Sequence, residues 1–376
     1  MRMRSGVSVV GAGTAGLISA KRLAGLGIEA TVYDQKRELG VPVRASGILS
    51  VSGLSGLGMD YGRAVTNTLY GARIHAGRRV MEVKSGERVA HVLDRKRLND
   101  LCHDEAVANG AEVVLGERIS GSRMEDLSRE GILIGADGAV SGVARHFGMG
   151  EIDRYCLTYK AEFNVEPENA GLVDLFFDNR ITRGLFAWFC PNSRDVLEIG
   201  VGIDSRFGNA KEAFDRVMAT GHASEAVGGA RPISEGASII PMSLRERMAD
   251  RKRKVMLVGD AAGQVKPSTG GGIVFGGNAA IMAARAAKEE LEGGDGIGNY
   301  EKEYRRRYAF DTALHAMANR VYSGMGEKGL GYLIGMFNLV GTGSFLAKYG
   351  DMDMPTLIPR NVLRGMMQFA GAGNLY

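Results

Sequence analysis

Apolar and polar positions change period several times along the chain, and each change marks an element. Gly6 to Val10 is a short apolar, β-branched run that reads as a parallel strand buried on both faces. Leu17 to Leu26 carries helix formers and stops at Gly27, and Glu29 to Tyr33 is a second strand closing on Asp34. Ile132 to Ile134 and Val255 to Val258 are two more buried strands, each running into a turn with glycine and aspartate. Between these two, residues 157–165, 171–177, 184–191 and 196–203 alternate as antiparallel strands with one buried face do. Part of 70–91 is expected to join them. From Gly294 onward the composition is helical.

This order predicts an α/β protein of two units and a tail. A Rossmann-like domain is expected from residues 1–70, 92–150 and 251–293. An inserted antiparallel β-sheet from 71–91 and 151–250 would cap it, and 294–376 would form a C-terminal helical region. The first strand is followed directly by Gly11-Ala12-Gly13-Thr14-Ala15-Gly16, a G-x-G-x-x-G turn that opens a helix. Gly11 permits the tight turn, Gly13 lets backbone approach a pyrophosphate, and Gly16 allows close helix–strand packing, with Ala15 inside the same turn. Asp34 stands at the tip of the second strand, placed to accept the ribose hydroxyls. This fingerprint fits NAD and FAD equally.

The later Gly259-Asp260 turn separates them. It continues through Pro267 into Gly270-Gly271-Gly272-Ile273 and a helix of small residues through Ala287. A strand ending there can aim Asp260 at a ribityl chain. The triple glycine then brings bare backbone and a helix N-terminus to the pyrimidine end of a flavin, where reduction builds negative charge. The expected cofactor is FAD.

The trio of G-x-G-x-x-G, "GADG" and "GDAAGQVKPSTGGGI" resembles the flavin-dependent hydroxylase superfamily, and within it the geranylgeranyl reductase family, over roughly residues 6 to 290. That resemblance implies an FAD-dependent reductase that saturates carbon–carbon double bonds of isoprenoid chains on membrane lipid precursors. It implies that Arg44, Ala45, Ser46 and Ile48 touch the cofactor, with Ala45 standing where many members have cysteine. It also implies a helix start at Asp94-Arg95 that brings Arg95 near the cofactor, and a strand from Glu112 to Leu115 that leads backbone at Ile119 toward the adenine. Phe186, Trp188 and Pro191 resemble the family's Tyr-x-Trp-x-Phe-Pro segment and would meet the substrate. An isolated alkene also needs a proton, and Cys190 is the candidate donor. The alternative reading is a monooxygenase of an aromatic or polyene substrate. A ferredoxin-to-quinone electron carrier would need an iron–sulfur site, which three dispersed cysteines do not supply.

Composition adds limits. The 55 glycines are about twice the usual share, and they cluster at the three motifs. A net charge of +4 is too small to argue for nucleic acid. Neither the histidines nor the cysteines show metal-ligand spacing. Residues 329–347 lack any charge, but glycines and polar residues make them a buried or interfacial helix pair in preference to a span. With the Met-rich C-terminal part, this suggests peripheral contact with the inner face of the cell membrane. The N-terminus runs straight into a strand, so a cytoplasmic protein is expected. Electrons would come from NAD(P)H or a ferredoxin-type partner.

Overall fold

A computed structural model of the protein describes residues 6–41, 46–359 and 361. The chain opens with β1 (Val7–Val10), α1 (Thr14–Gly25) and β2 (Ala30–Asp34). It continues through β3 (Ile48–Ser50), α2 (Val51–Leu57), β4 (Val65–Leu69), β5 (Gly71–Ala76), β6 (Arg79–Lys84) and β7 (Ala90–Leu93). Then come α3 (Arg95–Ala108), β8 (Glu112–Leu115), α4 (Ser122–Glu130), β9 (Ile132–Gly135) and α5 (Gly142–His146). The middle holds β10 (Tyr155–Phe163), β11 (Leu172–Phe176), β12 (Ala187–Pro191), β13 (Leu197–Asp204), α6 (Ala210–Met218), α7 (Gly221–Val227) and β14 (Pro232–Pro241). The last part comprises β15 (Ala249–Asp250), β16 (Val255–Leu257), α8 (Ile273–Leu291), α9 (Gly296–Gly324), α10 (Glu327–Leu339) and α11 (Thr342–Tyr349).

Six strands form one sheet in the order β15-β16-β9-β1-β2-β8, parallel except where β15 meets β16. Val7, Val9, Ile132, Leu133, Ile134 and Leu257 are buried in it, which is why these strands read as unbroken apolar runs. The strands with glycine-rich turns come from both ends of the chain. Small residues then let α8 pack closely: a methyl at Gly276 would lie 2.8 Å from the Gly259 backbone, and one at Gly277 would lie 2.7 Å from Leu57 of α2 and 3.1 Å from Ile18 of α1.

A second, seven-stranded sheet runs β14-β10-β13-β12-β11-β5-β6. Its neighbours are antiparallel with one exception: β11 pairs parallel with β5, so the sheet is mixed and not purely antiparallel as its alternation suggests. β14 was not anticipated, and β7 leaves this sheet to pair with β3 and β4 in a small three-stranded one. Alternation along β13 sends Leu197, Ile199, Val201 and Ile203 to one face, where Phe214 and Val217 of α6 cover them. The opposite face carries Trp188 and Cys190, with Phe186 just before β12, packed against Leu69, Ala90 and Val92 of the small sheet.

Gly200 lies under the Trp188 indole, and a methyl there would sit 2.1 Å from Trp188 Cζ2. Gly200→Ala is therefore expected to push the indole aside at a cost of about 1–3 kcal/mol. The emission of the only tryptophan in the chain should move to the red and Tm should fall. An unchanged spectrum and Tm would contradict this packing.

Candidate functional site

The first wall of the site is the turn after β1. Gly11 has φ +110°, and a methyl there would lie 2.3 Å from the Ala136 carbonyl oxygen. A methyl at Gly16 would lie 1.9 Å from the Gly11 oxygen, whereas one at Gly13 meets nothing within 4 Å. So Gly11 and Gly16 are small because protein presses on them, and Gly13 borders open space. Gly13 caps α1 with no side-chain acceptor, leaving the first-turn N–H groups for a ligand. The Ala15 methyl turns inward toward Gly259. Asp34 accepts from Ala12 N–H at 2.7 Å and from Lys36 N–H at 2.8 Å. Each carboxylate oxygen retains a lone pair for a hydroxyl donor.

The second wall is the start of α3. Asp94 caps that helix by accepting from the N–H groups of Lys96 and Arg97. This sets Arg95 beside α1, where its Nη2 donates to Thr14 Oγ1 at 3.4 Å and Thr14 donates to Asn99. Among the described residues, Arg95 Nε and Nη1 are buried without a partner. Burial pulls the guanidinium down to about 10, with Cys102 and Asp260 opposing. Unpaired charged donors in such a place are costly unless an anion meets them. A pyrophosphate at the α1 N-terminus would do so, and the residues present fit FAD.

The third wall follows β16. Gly259 takes φ +65°, and the turn presents Asp260 beside Gly272, with Oδ1 2.8 Å from where a Gly272 methyl would stand. Burial raises the Asp260 carboxyl to about 6, against the pull of Arg95. Gly270, Gly271 and Gly272 lead into Ile273, the first residue of α8, whose N-terminus has no side-chain cap and no acidic residue in its first turn. The loop is tied back on itself by Lys266 N–H to the Gly271 carbonyl, 3.0 Å, and Gly270 N–H to the Lys266 carbonyl, 2.8 Å.

The aromatic side of the seven-stranded sheet packs against the small sheet of β3, β4 and β7. Ile48 packs into the same cluster as Phe186, Trp188 and Cys190. Phe186 and Trp188 meet edge to face with centroids 6.4 Å apart. Cys190 is fully buried, and burial followed by Glu198 pushes its thiol well above the usual range. Pro191 takes the opposite parity on β12, and its carbonyl accepts from Asn67; it does not join Phe186 and Trp188. Ile119 is buried in the main core, just beyond Glu117, whose N–H bonds the Asp34 carbonyl. Arg44 and Ala45 lie outside the described residues.

Several polar residues at the site escaped the sequence reading. Ser46 donates to Glu198, which also holds the Trp188 indole N–H and Lys160. Lys266 pairs with Asp353, which also accepts from Ser50, so the region after α11 is tied to the glycine loop. The only available signals were a glutamate inside "VLEIGVGI" and a lysine inside "LTYKAEF".

Two substitutions test this geometry. Asp260 has its carboxyl raised in the fold, so the stability tied to its neutral form is complete below about 3.8 and is lost as pH rises through about 6. Without FAD, Asp260→Asn should therefore gain Tm over the wild type at neutral pH, with the difference vanishing near pH 4 in thermal melts. Equal melting differences at both pH values would contradict it. Arg95→Gln should weaken FAD binding by about tenfold or more, measured by fluorescence titration of the apoprotein. Unchanged affinity would remove Arg95 from the cofactor site.

Comparison with known proteins agrees with this geometry. Residues 4–305 match the family model of the FAD binding domain. The chain is 31% identical over 349 residues to the digeranylgeranylglycerophospholipid reductase of Methanosarcina acetivorans, covering 81% of each chain. It is 28% identical to the enzyme of the same name from Methanothrix thermoacetophila, covering 83% of this chain and 86% of that one. A geranylgeranyl bacteriochlorophyll reductase-like protein of Thermoplasma acidophilum has the same fold, with TM-score 0.78 and 21% identity over 96% of this chain and 95% of that one. The flavin-dependent halogenase CmlS shares it more loosely, with TM-score 0.68 and 17% identity over 99% of this chain and 78% of that one. The chain is thus an FAD flavoprotein and belongs to the digeranylgeranylglycerophospholipid reductase family of FAD-binding-domain proteins.

Proposed function

We propose that this protein saturates isolated carbon–carbon double bonds in geranylgeranyl chains carried by membrane ether lipid precursors. The observation that carries the reading is the dry aromatic face of β12, which packs with Ile48 of the segment that the resemblance places along the flavin. The names of the relatives agree with it. Bound FAD, once reduced, supplies the hydride equivalent for the alkene. The chain's own residues do the rest. Gly13, the free N–H groups of the first turn of α1 and Arg95 would hold the pyrophosphate, Asp34 the ribose, and Asp260 the ribityl chain. Gly270 to Ile273 present backbone N–H groups to the pyrimidine end. Phe186 and Trp188 align the prenyl chain and exclude water, which is worth more here than any acid–base step because the alkene is unpolarised. The electrons come from NAD(P)H or a ferredoxin-type protein.

The lipid reaches the site from a membrane surface. Among the described residues no helix is long and apolar enough to cross a bilayer, but α10 and α11 form an apolar pair bent by 71°. Tyr332, Leu339 and Val340 on this pair are 74%, 89% and 71% exposed. Arg78 and Arg79 stand at the adjoining β5–β6 turn, where Asn338 of α10 bonds the Val80 carbonyl. Apolar side chains with basic neighbours suit an anionic headgroup layer, where each basic residue adds about 1 kcal/mol.

Two measurements check this reading. Anaerobic protein reduced with dithionite should be reoxidised by a geranylgeranylated lipid, giving a product heavier by two hydrogens per saturated bond. Reduced flavin that ignores the lipid and reacts rapidly with oxygen would favour a monooxygenase. Sedimentation with anionic vesicles should fall several-fold on Leu339→Glu, with little binding to neutral vesicles in either form. Equal binding by both forms would place the membrane contact elsewhere.

A further inference from the structure

The inner face of the seven-stranded sheet also carries a line of charged and hydroxyl groups that an apolar substrate wall does not need. In the β10–β13 ladder, Glu162 stands opposite Glu198 and Lys160 opposite Gly200, so all these positions share the face of Trp188 and Cys190. Glu198 is wholly buried and Lys160 is 4% exposed. Lys160 Nζ lies 2.6 Å from Glu198 Oε2 and 3.1 Å from Glu162 Oε1. Burial pulls the Lys160 ammonium down, but Glu198 and Glu162 together push it up, so it stays charged. Glu198 Oε1 accepts both the Trp188 indole N–H, 2.7 Å, and the Ser46 hydroxyl. Toward solvent, Glu162 accepts from Asn192 Nδ2 at 3.1 Å and from Ser234 Oγ at 2.9 Å. Ser234 is exposed. An unbroken hydrogen-bonded line thus runs from the surface to Ser46, on the segment expected to lie along the flavin.

A buried ion pair gains little over apolar residues of the same volume, so its place in an aromatic wall calls for another explanation. We propose that Glu162, Lys160 and Glu198 form a proton relay ending at Ser46, which delivers the proton consumed when a double bond is saturated. This rests on the reductase reading. One alkene carbon receives two electrons and a hydrogen from reduced FAD. The π pair goes to the other carbon's new C–H bond, whose proton comes from the Ser46 O–H as that bond breaks. As the Ser46 proton leaves, the Lys160 ammonium passes one through the Glu198 carboxylate to the serine oxygen, so no alkoxide forms, and Lys160 regains a proton from water through Glu162. The sum is one solvent proton per bond and oxidised FAD, with the relay restored. Cys190 shares this face, but its thiol has no hydrogen bond to the line that could return a proton to it.

The test uses the holoenzyme with Glu198→Gln, which keeps an acceptor for Trp188 and cannot ionise, and with the more accessible Glu162→Gln. Flavin absorbance and Trp188 emission serve as checks that the wall is intact. The single indole N–H is buried against Glu198, so in the native state it exchanges with deuterated water through the relay. Both variants should slow that exchange without any turnover, although Glu198→Gln also lowers Tm because Lys160 loses a buried partner. Reoxidation of dithionite-reduced flavin by a geranylgeranylated lipid should slow by about 100-fold in Glu198→Gln, with an altered solvent isotope effect in Glu162→Gln. Should both variants exchange the indole proton and reoxidise within about twofold of wild type, at an unchanged isotope effect, the relay is overturned while the reductase reading stands. If wild-type reduced flavin ignores the lipid, the reductase reading falls, and the relay's assignment to alkene reduction falls with it.

Discussion

The site depends on one packing constraint: two helix N-termini must converge at the carboxyl edge of the parallel sheet without side chains between them. α1 and α8 come from opposite ends of the chain, and both start at glycines with no side-chain cap. They can meet because a methyl at Gly16, Gly259 or Gly276 would strike a neighbouring residue of the same construction. Close approach aligns the positive ends of both helix dipoles on one place. Arg95, with two buried nitrogens unpartnered among the described residues, adds a third source of positive charge there. Asp260 is the counterweight. Its raised carboxyl means that the protein without cofactor holds a group whose charged form it solvates poorly.

The seven-stranded sheet carries the surface that the proposed reaction assigns to a long apolar chain. Its two faces differ because β13 alternates large apolar residues with Glu198, Gly200 and Gly202. The outer face is closed by α6 and α7. The inner face is cut back by glycine, so that Trp188 lies over Gly200 and Leu185 over Gly202. Glu198 pins the indole and ties the sheet to Ser46 through one carboxylate. The same carboxylate anchors the buried Lys160. The region after α11 adds a second tie, through Asp353 to Lys266 and Ser50.

Much of this was legible where local chemistry is strict. The glycine turns at Gly11 and Gly259 follow from sequence, because each needs a particular residue type at one place, whereas the start of α3 and the strand Glu112–Leu115 came through the family resemblance. β14 was not legible: Pro232 to Glu235 are exposed, and the strand earns its place by pairing with β10 across a long stretch of chain. The parallel pairing of β11 with β5 is likewise set by distant partners. The buried charges were hidden for a different reason. Lys160 and Glu198 look like surface residues one at a time, and only the ladder shows that each is the other's solvent.

The central claim is that FAD and a prenyl chain share the space in front of Trp188. The most direct measurement follows the emission of this single tryptophan while apoprotein takes up FAD and the oxidised holoprotein then takes up a geranylgeranylated lipid. The account predicts strong quenching by FAD. It then predicts a blue shift of Trp188 and a change in flavin absorbance that saturate together with added lipid. Quenching by FAD followed by lipid binding that leaves both signals unchanged would contradict it, because the lipid would then be bound away from the aromatic wall.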